Sequence, residues 1–175
     1  MTMHEDEFWE LVDSTRTDAD GDSWDQAEAL VERLAGLDPE SVTDFARHFE
    51  ARFRRAYRWD VWAASRILLD DPGEDAFDAF RCWLVAQGRE VFEGAMHQGP
   101  DVLAELLPDF DEEYDGDGEE IGYAADEAHE QLTGSELPEL GGVAGPEEPL
   151  GTPLDPEDGR AVAELLPALW KRFRG

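Results

Sequence analysis

From Tyr57 to Asp101 the chain reads YRWDVWAASRILL and then DDPGEDAFDAFRCWLVAQGREVFEGAMHQGPD. This is its most apolar and least interrupted stretch. Apolar residues recur here at helical spacing and do not alternate with the two-residue period of a strand. A run of this kind has to bury itself among other helices. It holds three of the six tryptophans (Trp59, Trp62, Trp83), the single cysteine, Cys82, and three phenylalanines (Phe77, Phe80, Phe92).

The flanking segments have the same period. Glu5 to Thr17 predicts a first helix, with Phe8, Trp9, Leu11 and Val12 on one side and acids at its positive end. Ser23 is placed to cap a second helix that ends at Gly36, and Asp38-Pro39 opens a third as cap and first position. The third, Glu40 to Tyr57, gathers Val42, Phe45, Phe49, Phe53 and Ala56 on one side. If it is unbroken to Arg58, it sets Arg47, Arg54 and Arg58 opposite them. Trp59 to Leu69 is apolar nearly all round and predicts a buried central helix, followed by a turn at Asp70-Asp71-Pro72-Gly73 and a cap at Glu74 or Asp75. Gly88 marks a break or a close approach. A short helix runs from Pro100 to Leu107, a helix is expected over Ile121 to Leu132, and a last one over Arg160 to Phe173.

The charge balance limits the partners. Asp and Glu outnumber Lys and Arg by 44 to 14, for a net charge of −30 on 175 residues. Between Glu90 and Gly159 there is no Lys or Arg at all, and Asp109 to Glu120 holds eight carboxylates in twelve positions. Such a chain repels nucleic acid and anionic membranes. The acidity has three readings: adaptation to high salt, mimicry of a nucleic acid, or an ordinary acidic surface. With 41% apolar residues a true core can form. One cysteine makes no internal disulfide, the acidic start MTMHEDEFWE does not resemble a signal peptide, and no run suits a bilayer, so the expectation is a cytoplasmic, monomeric protein.

Metal and nucleotide chemistry find little support. Asp18, Asp20 and Asp22 alternate as in a calcium loop, but Ser23 and Ala29 stand where glycine and the bidentate glutamate belong. Asp111, Glu113, Asp115 and Gly116 fail at Gly122 in the same way. The histidines lack metal spacing, no glycine-rich phosphate loop is present, and Cys82 reads as a small core residue. No cofactor and no metal are expected.

Two charges fall on apolar helix faces, Asp60 and Arg81. A buried lone charge costs several kcal/mol and demands a partner. The simplest arrangement pairs them across two helices, with Arg66 or Arg89 nearby. It makes a polar pocket walled by Trp59, Trp62 and Trp83. The alternatives are a purely structural ion pair, or Asp60 as a helix cap with Arg81 snorkelling to water. The Arg47, Arg54 and Arg58 face can bind an anion or acidic partner, can receive the chain's own Asp109 to Glu120 segment, or can be a solvated face paired with Glu50.

At YRWDVWAAS, DAFDAFRCWLVAQGREVFEGA and PDVLAEL, together with EDEFWELVDSTR and AEALVERLAGLDPE, the chain resembles domain-of-unknown-function family 4240, DUF4240, common in actinobacteria. The resemblance covers roughly residues 1–107. Its pattern maps onto Trp59, Asp60, Trp62, Ala63, Ala64, Phe77, Phe80, Arg81, Trp83, Leu84, Gly88, Phe92, Pro100 and Asp101. It implies a small helical domain without an assigned activity. At LLDDPGED the chain departs from the family's glycine-rich turn.

The sequence reading is therefore an all-α domain of six to eight helices. Residues 1–107 form the core domain and 108–133 an acidic segment with a possible helix. Residues 134–158 form a Pro/Gly-rich linker, and 159–175 a C-terminal helix docking on the core. The expected core is Phe8, Trp9, Leu30, Phe45, Phe49, Phe53, Trp59, Trp62, Phe77, Phe80, Trp83, Leu84 and Phe92. The leading function is a non-catalytic binding module for a protein partner or small anionic ligand. A second reading is an enzyme using Asp60, Arg81 and Trp83. A third is a nucleic-acid mimic acting through residues 109–120.

Overall fold

The computed structural model describes residues 3–140 and 146–175; residues 141–145 of the expected linker lie outside them. Among the described residues there are eleven α-helices, one 3-10 turn and no strand. They are α1 (Glu5–Asp18), α2 (Ser23–Ala35), α3 (Pro39–Arg55), α4 (Trp59–Leu69), α5 (Glu74–Ala86) and α6 (Arg89–Gln98). The 3-10 turn Pro100–Val102 leads into α7 (Leu103–Leu106), then α8 (Glu119–Gly122), α9 (Ala124–Thr133), α10 (Gly159–Leu165) and α11 (Pro167–Phe173).

The excess over six to eight has local causes. The expected C-terminal helix is divided because Pro167 pushes Leu166 out of the helical region, to φ −125°, ψ 67°. The expected helix over 121–132 is interrupted at Tyr123, which closes α8 and opens α9. The third helix stops at Arg55, two residues short of the expectation, and Arg58 is extended.

Capping follows side-chain chemistry. The cap of α2 is Asp22, which accepts from Asp25 N at 2.9 Å, so Ser23 is the first helical residue rather than the cap. Asp38 caps α3 through Ser41 N and Ser41 Oγ, with Pro39 behind it. The turn before α5 is an Asx turn in which Asp71 Oδ1 accepts from Gly73 N. It leaves Gly73, not Glu74 or Asp75, at the cap position. Asp101 reaches across the chain to the start of α11 and accepts from both Ala168 N and Leu169 N.

One apolar cluster runs from Met3 to Leu169. Phe8, Trp9, Leu30, Phe45, Phe77, Phe80, Leu84 and Phe92 are fully buried in it, and Trp83 nearly so. Each such side chain contributes roughly 1.5–3 kcal/mol relative to exposure. Phe53, Trp59 and Trp62 depart from the expected core, being half-buried at its edge. The segment after Leu107 belongs to the same cluster, because Ile121, Ala124, Ala125 and Ala128 are buried where α9 lies on α2 and α3. The residues around Leu150 are not free chain either. Trp59 N donates to Leu150 O at 3.0 Å and Leu150 N to Tyr57 O at 2.8 Å, an isolated parallel bridge. Among the described residues no helix is long and apolar enough to cross a membrane.

Candidate functional site

Asp60 and Arg81 take different partners. Arg58 holds the Asp60 carboxylate with two bonds, Nε to Oδ1 at 3.0 Å and Nη2 to Oδ2 at 2.6 Å. Arg81 lies 6% exposed between α5 and the end of α3. Its Nη2 donates to Asp78 Oδ1 at 2.6 Å and its Nη1 to Phe53 O at 2.9 Å. Its guanidinium lies over Phe53, Tyr57 and Phe77, at 3.7, 4.7 and 4.8 Å from the ring centroids. Arg89 pairs with Asp6 on an exposed face. Trp59 and Trp62 stack on each other, whereas Trp83 is buried against Phe80 and Phe110. The six groups therefore do not surround one pocket. An arginine at i−2 and an aspartate at i−3 reach these charges within their own stretch of chain.

The arginine face is divided as well. Arg47 bonds Asp44 and Leu140 O, and Arg54 bonds Glu50. Arg58, beyond the helix end, turns to Asp60 and Met96 O. The 109–120 segment instead meets one arginine from the C-terminus, and a second reaches the residue just before it. Arg174 lies 3.5 Å from Glu112, and Arg172 donates to Pro108 O.

A groove of about 1020 Å³ lies elsewhere, between α3, α5, α8–α9 and residues 137–140. Its floor is apolar, with Phe45, Phe49 and Phe53 from one side and Ile121, Leu137 and Leu140 from the other. Carboxylates ring it: Glu50, Asp75, Asp78, Glu119, Asp126 and Glu139. Arg54 is the one basic residue of the described lining, and Glu50 pairs with it. The walls raise the Asp126 carboxyl above its ordinary pKa by stripping hydration, with His129 acting in the opposite direction. The α3 stripe announced itself in the sequence, but as core. The rim comes from four separated segments, and no sequence period connects them.

Cys82 lines the same groove, half-buried. Burial pushes its thiol up to about 12; Arg81 opposes the shift, and Asp78, Asp117 and Glu119 add to it. A thiol so held carries on the order of a thousandfold less thiolate than an ordinary one and is a poor nucleophile. Iodoacetamide at pH 8 is expected to label Cys82 at least 100-fold more slowly in the folded protein than in denaturant. Equal rates, read by intact-mass spectrometry, contradict this. Among the described residues no group of three or more His, Cys, Asp or Glu is arranged to hold a metal ion.

No curated protein and no solved structure matches the chain. One family model does, and it extends past the 1–107 stretch on which the resemblance rests, to the end region of α9, so the groove's α3, α5 and α8–α9 walls all lie within it. Matched from residue 3 to residue 131, the chain belongs to the family described as protein of unknown function, DUF4240.

Proposed function

We propose that this protein is a non-catalytic binding module that holds a basic, partly apolar segment of a protein partner in the groove between α3, α5 and α9. The observation that carries the reading is the pairing of an apolar floor with a ring of six carboxylates. An amphipathic segment buries its apolar face on the phenylalanines while its Lys or Arg side chains reach the rim. A net charge of −30 steers such a partner from a distance. The same rim repels a small anionic ligand. The burial that pushes the Cys82 thiol up, and the ion pairs of Asp60 with Arg58 and of Arg81 with Asp78, do not favour an enzyme reading.

The Asp126 carboxyl, held above its ordinary pKa at the groove, supplies a test of the binding role. Its folded-state pKa is raised, so ionisation costs stability, and that cost is fully present above the folded pKa. A cation in the groove removes the cost. Asp126→Asn is therefore expected to raise the thermal midpoint slightly at pH 7 while weakening partner binding. The probe is a helical Leu/Lys peptide, compared by titration calorimetry with its Leu/Glu counterpart. The Lys peptide is expected to bind, and to bind at least tenfold more weakly to the triple variant Asp75→Asn, Glu119→Gln, Asp126→Asn. A control triple on α1 and α2 (Glu10→Gln, Glu28→Gln, Glu32→Gln) makes the same change in net charge. If both triples weaken binding equally, the peptide is reading net charge and the groove is not the site.

A further inference from the structure

A second concavity, independent of the groove, opens where the chain around Leu150 crosses the start of α4. The bridge between Arg58 and Leu150 pins that crossing, and just beyond it Pro153, Leu154 and Pro156 line a cleft of about 710 Å³ with Trp59 and Trp62. The two indoles are the outer half of a stack. Tyr57 faces Phe77 at 6.0 Å, Phe77 faces Trp62 at 4.8 Å, and Trp62 faces Trp59 at 5.7 Å with only 9° between their planes. Both faces of Trp62 are thus covered, and its N–H is spent on Pro72 O at 2.8 Å. Trp59 ends the stack and lines the cleft.

The charge of this cleft has one sign. Asp155 and Glu157 line it, and no Lys, Arg or His does among the described residues. Glu157 N donates to Asp155 Oδ1 at 2.9 Å, which fixes that carboxylate and leaves Oδ2 for a ligand. The remaining walls are proline, leucine, the backbone of Gly73 and ring carbon. They match methyl groups and offer a hydrated primary ammonium little to replace its water. An electron-rich ring face, apolar walls and two carboxylates select a cation that is itself apolar on its surface.

We infer that this cleft binds the quaternary ammonium group of a small molecule, seated on Trp59 and balanced by Asp155 and Glu157. Because Pro153 to Glu157 and α4 each supply one wall, the bound cation also holds this segment against the core.

Choline is the probe, and 3,3-dimethylbutan-1-ol, its uncharged counterpart of the same shape, is the control. Calorimetric titration at constant ionic strength is expected to give saturable 1:1 binding of choline and at least tenfold weaker binding of the alcohol. Trp59→Leu is expected to abolish binding. The double variant Asp155→Asn, Glu157→Gln changes only exposed side chains, and it is expected to weaken choline at least fivefold with the fold intact. Choline is also expected to slow hydrogen exchange at the amides of Leu150 and Trp59, which form the bridge. Absence of saturable choline binding to the wild type overturns the inference. Equal affinity for the alcohol, or unchanged choline affinity in the double variant, does the same. A Lys peptide that fails in the groove leaves these outcomes untouched, since the two sites share no residue.

Discussion

Gly118→Ala is expected to lower the unfolding free energy by about 3 kcal/mol. A Cβ at Gly118 would sit 2.4 Å from Trp83 N, 2.6 Å from Trp83 Cα and 2.8 Å from Cys82 C. All three atoms are backbone of α5, whose Phe80, Trp83 and Leu84 side chains are locked in the core, so the helix has nowhere to go. The contact is already bonded, with Gly118 N donating to Ala79 O at 3.0 Å. The backbone of Gly118 has φ −119°, which any residue adopts, so the effect is steric and not conformational. Gly134→Ala is the matched control. Gly134 has φ +72° and open space around it, and its substitution is expected to cost about 1 kcal/mol. Urea unfolding of both variants checks the pair. Gly118→Ala within about 0.5 kcal/mol of wild type would show that α8 does not seat on α5 this closely. A loss of 3 kcal/mol is about a hundredfold in the folded-to-unfolded ratio and a large share of what a domain of this size has.

Arg81→Ala is expected to cost about 2–4 kcal/mol, with no compensating loss of any ligand. Phe53 O lies in the last turn of α3, beyond the reach of the helix's own N–H groups; Arg81 Nη1 satisfies it and places a cation at the negative end of the helix dipole. A charged hydrogen bond to a buried carbonyl contributes about 1.5–3 kcal/mol, and desolvated contacts with aromatic faces add up to about 2. Truncation also leaves Asp78 without its partner, though that carboxylate is half exposed and counts for little. Arg81→Lys is expected to recover less than half of the loss, since an ammonium cannot bond Phe53 O and Asp78 together while lying flat on Phe53. Urea unfolding and hydrogen exchange at the end of α3 read both variants. Full rescue by lysine would mean that charge alone, and not the planar fork, holds this corner.

These two positions show where sequence periodicity succeeds and where it stops. Arg81 was conspicuous because it broke an apolar stripe, and it is buried. Its partners, Asp78 one helix turn back and Phe53 O at the end of α3, are not the Asp60 expected across two helices, because a break in an apolar stripe marks burial and not the partner. Gly118 carried no signal, lying in a run of carboxylates that looked like solvated loop. Only the seating of that run on α5 makes its missing side chain matter. The groove has the same history. Phe45, Phe49 and Phe53 were legible as one face of a helix, but Phe53 is half-buried and lines the groove.

By itself the sequence determined the all-helical class, the central helices from Trp59 to Gln98, most of the buried aromatic set and the family, because helical period and apolar content are local properties that survive packing. The tertiary structure alone decided how the acidic stretch joins the core, where Arg81 meets the end of α3, and which faces remain open as groove and cleft. Those depend on distances between segments remote in the chain, such as Gly118 from Trp83 or Leu150 from Trp59, and no local pattern of residues encodes a distance of that kind.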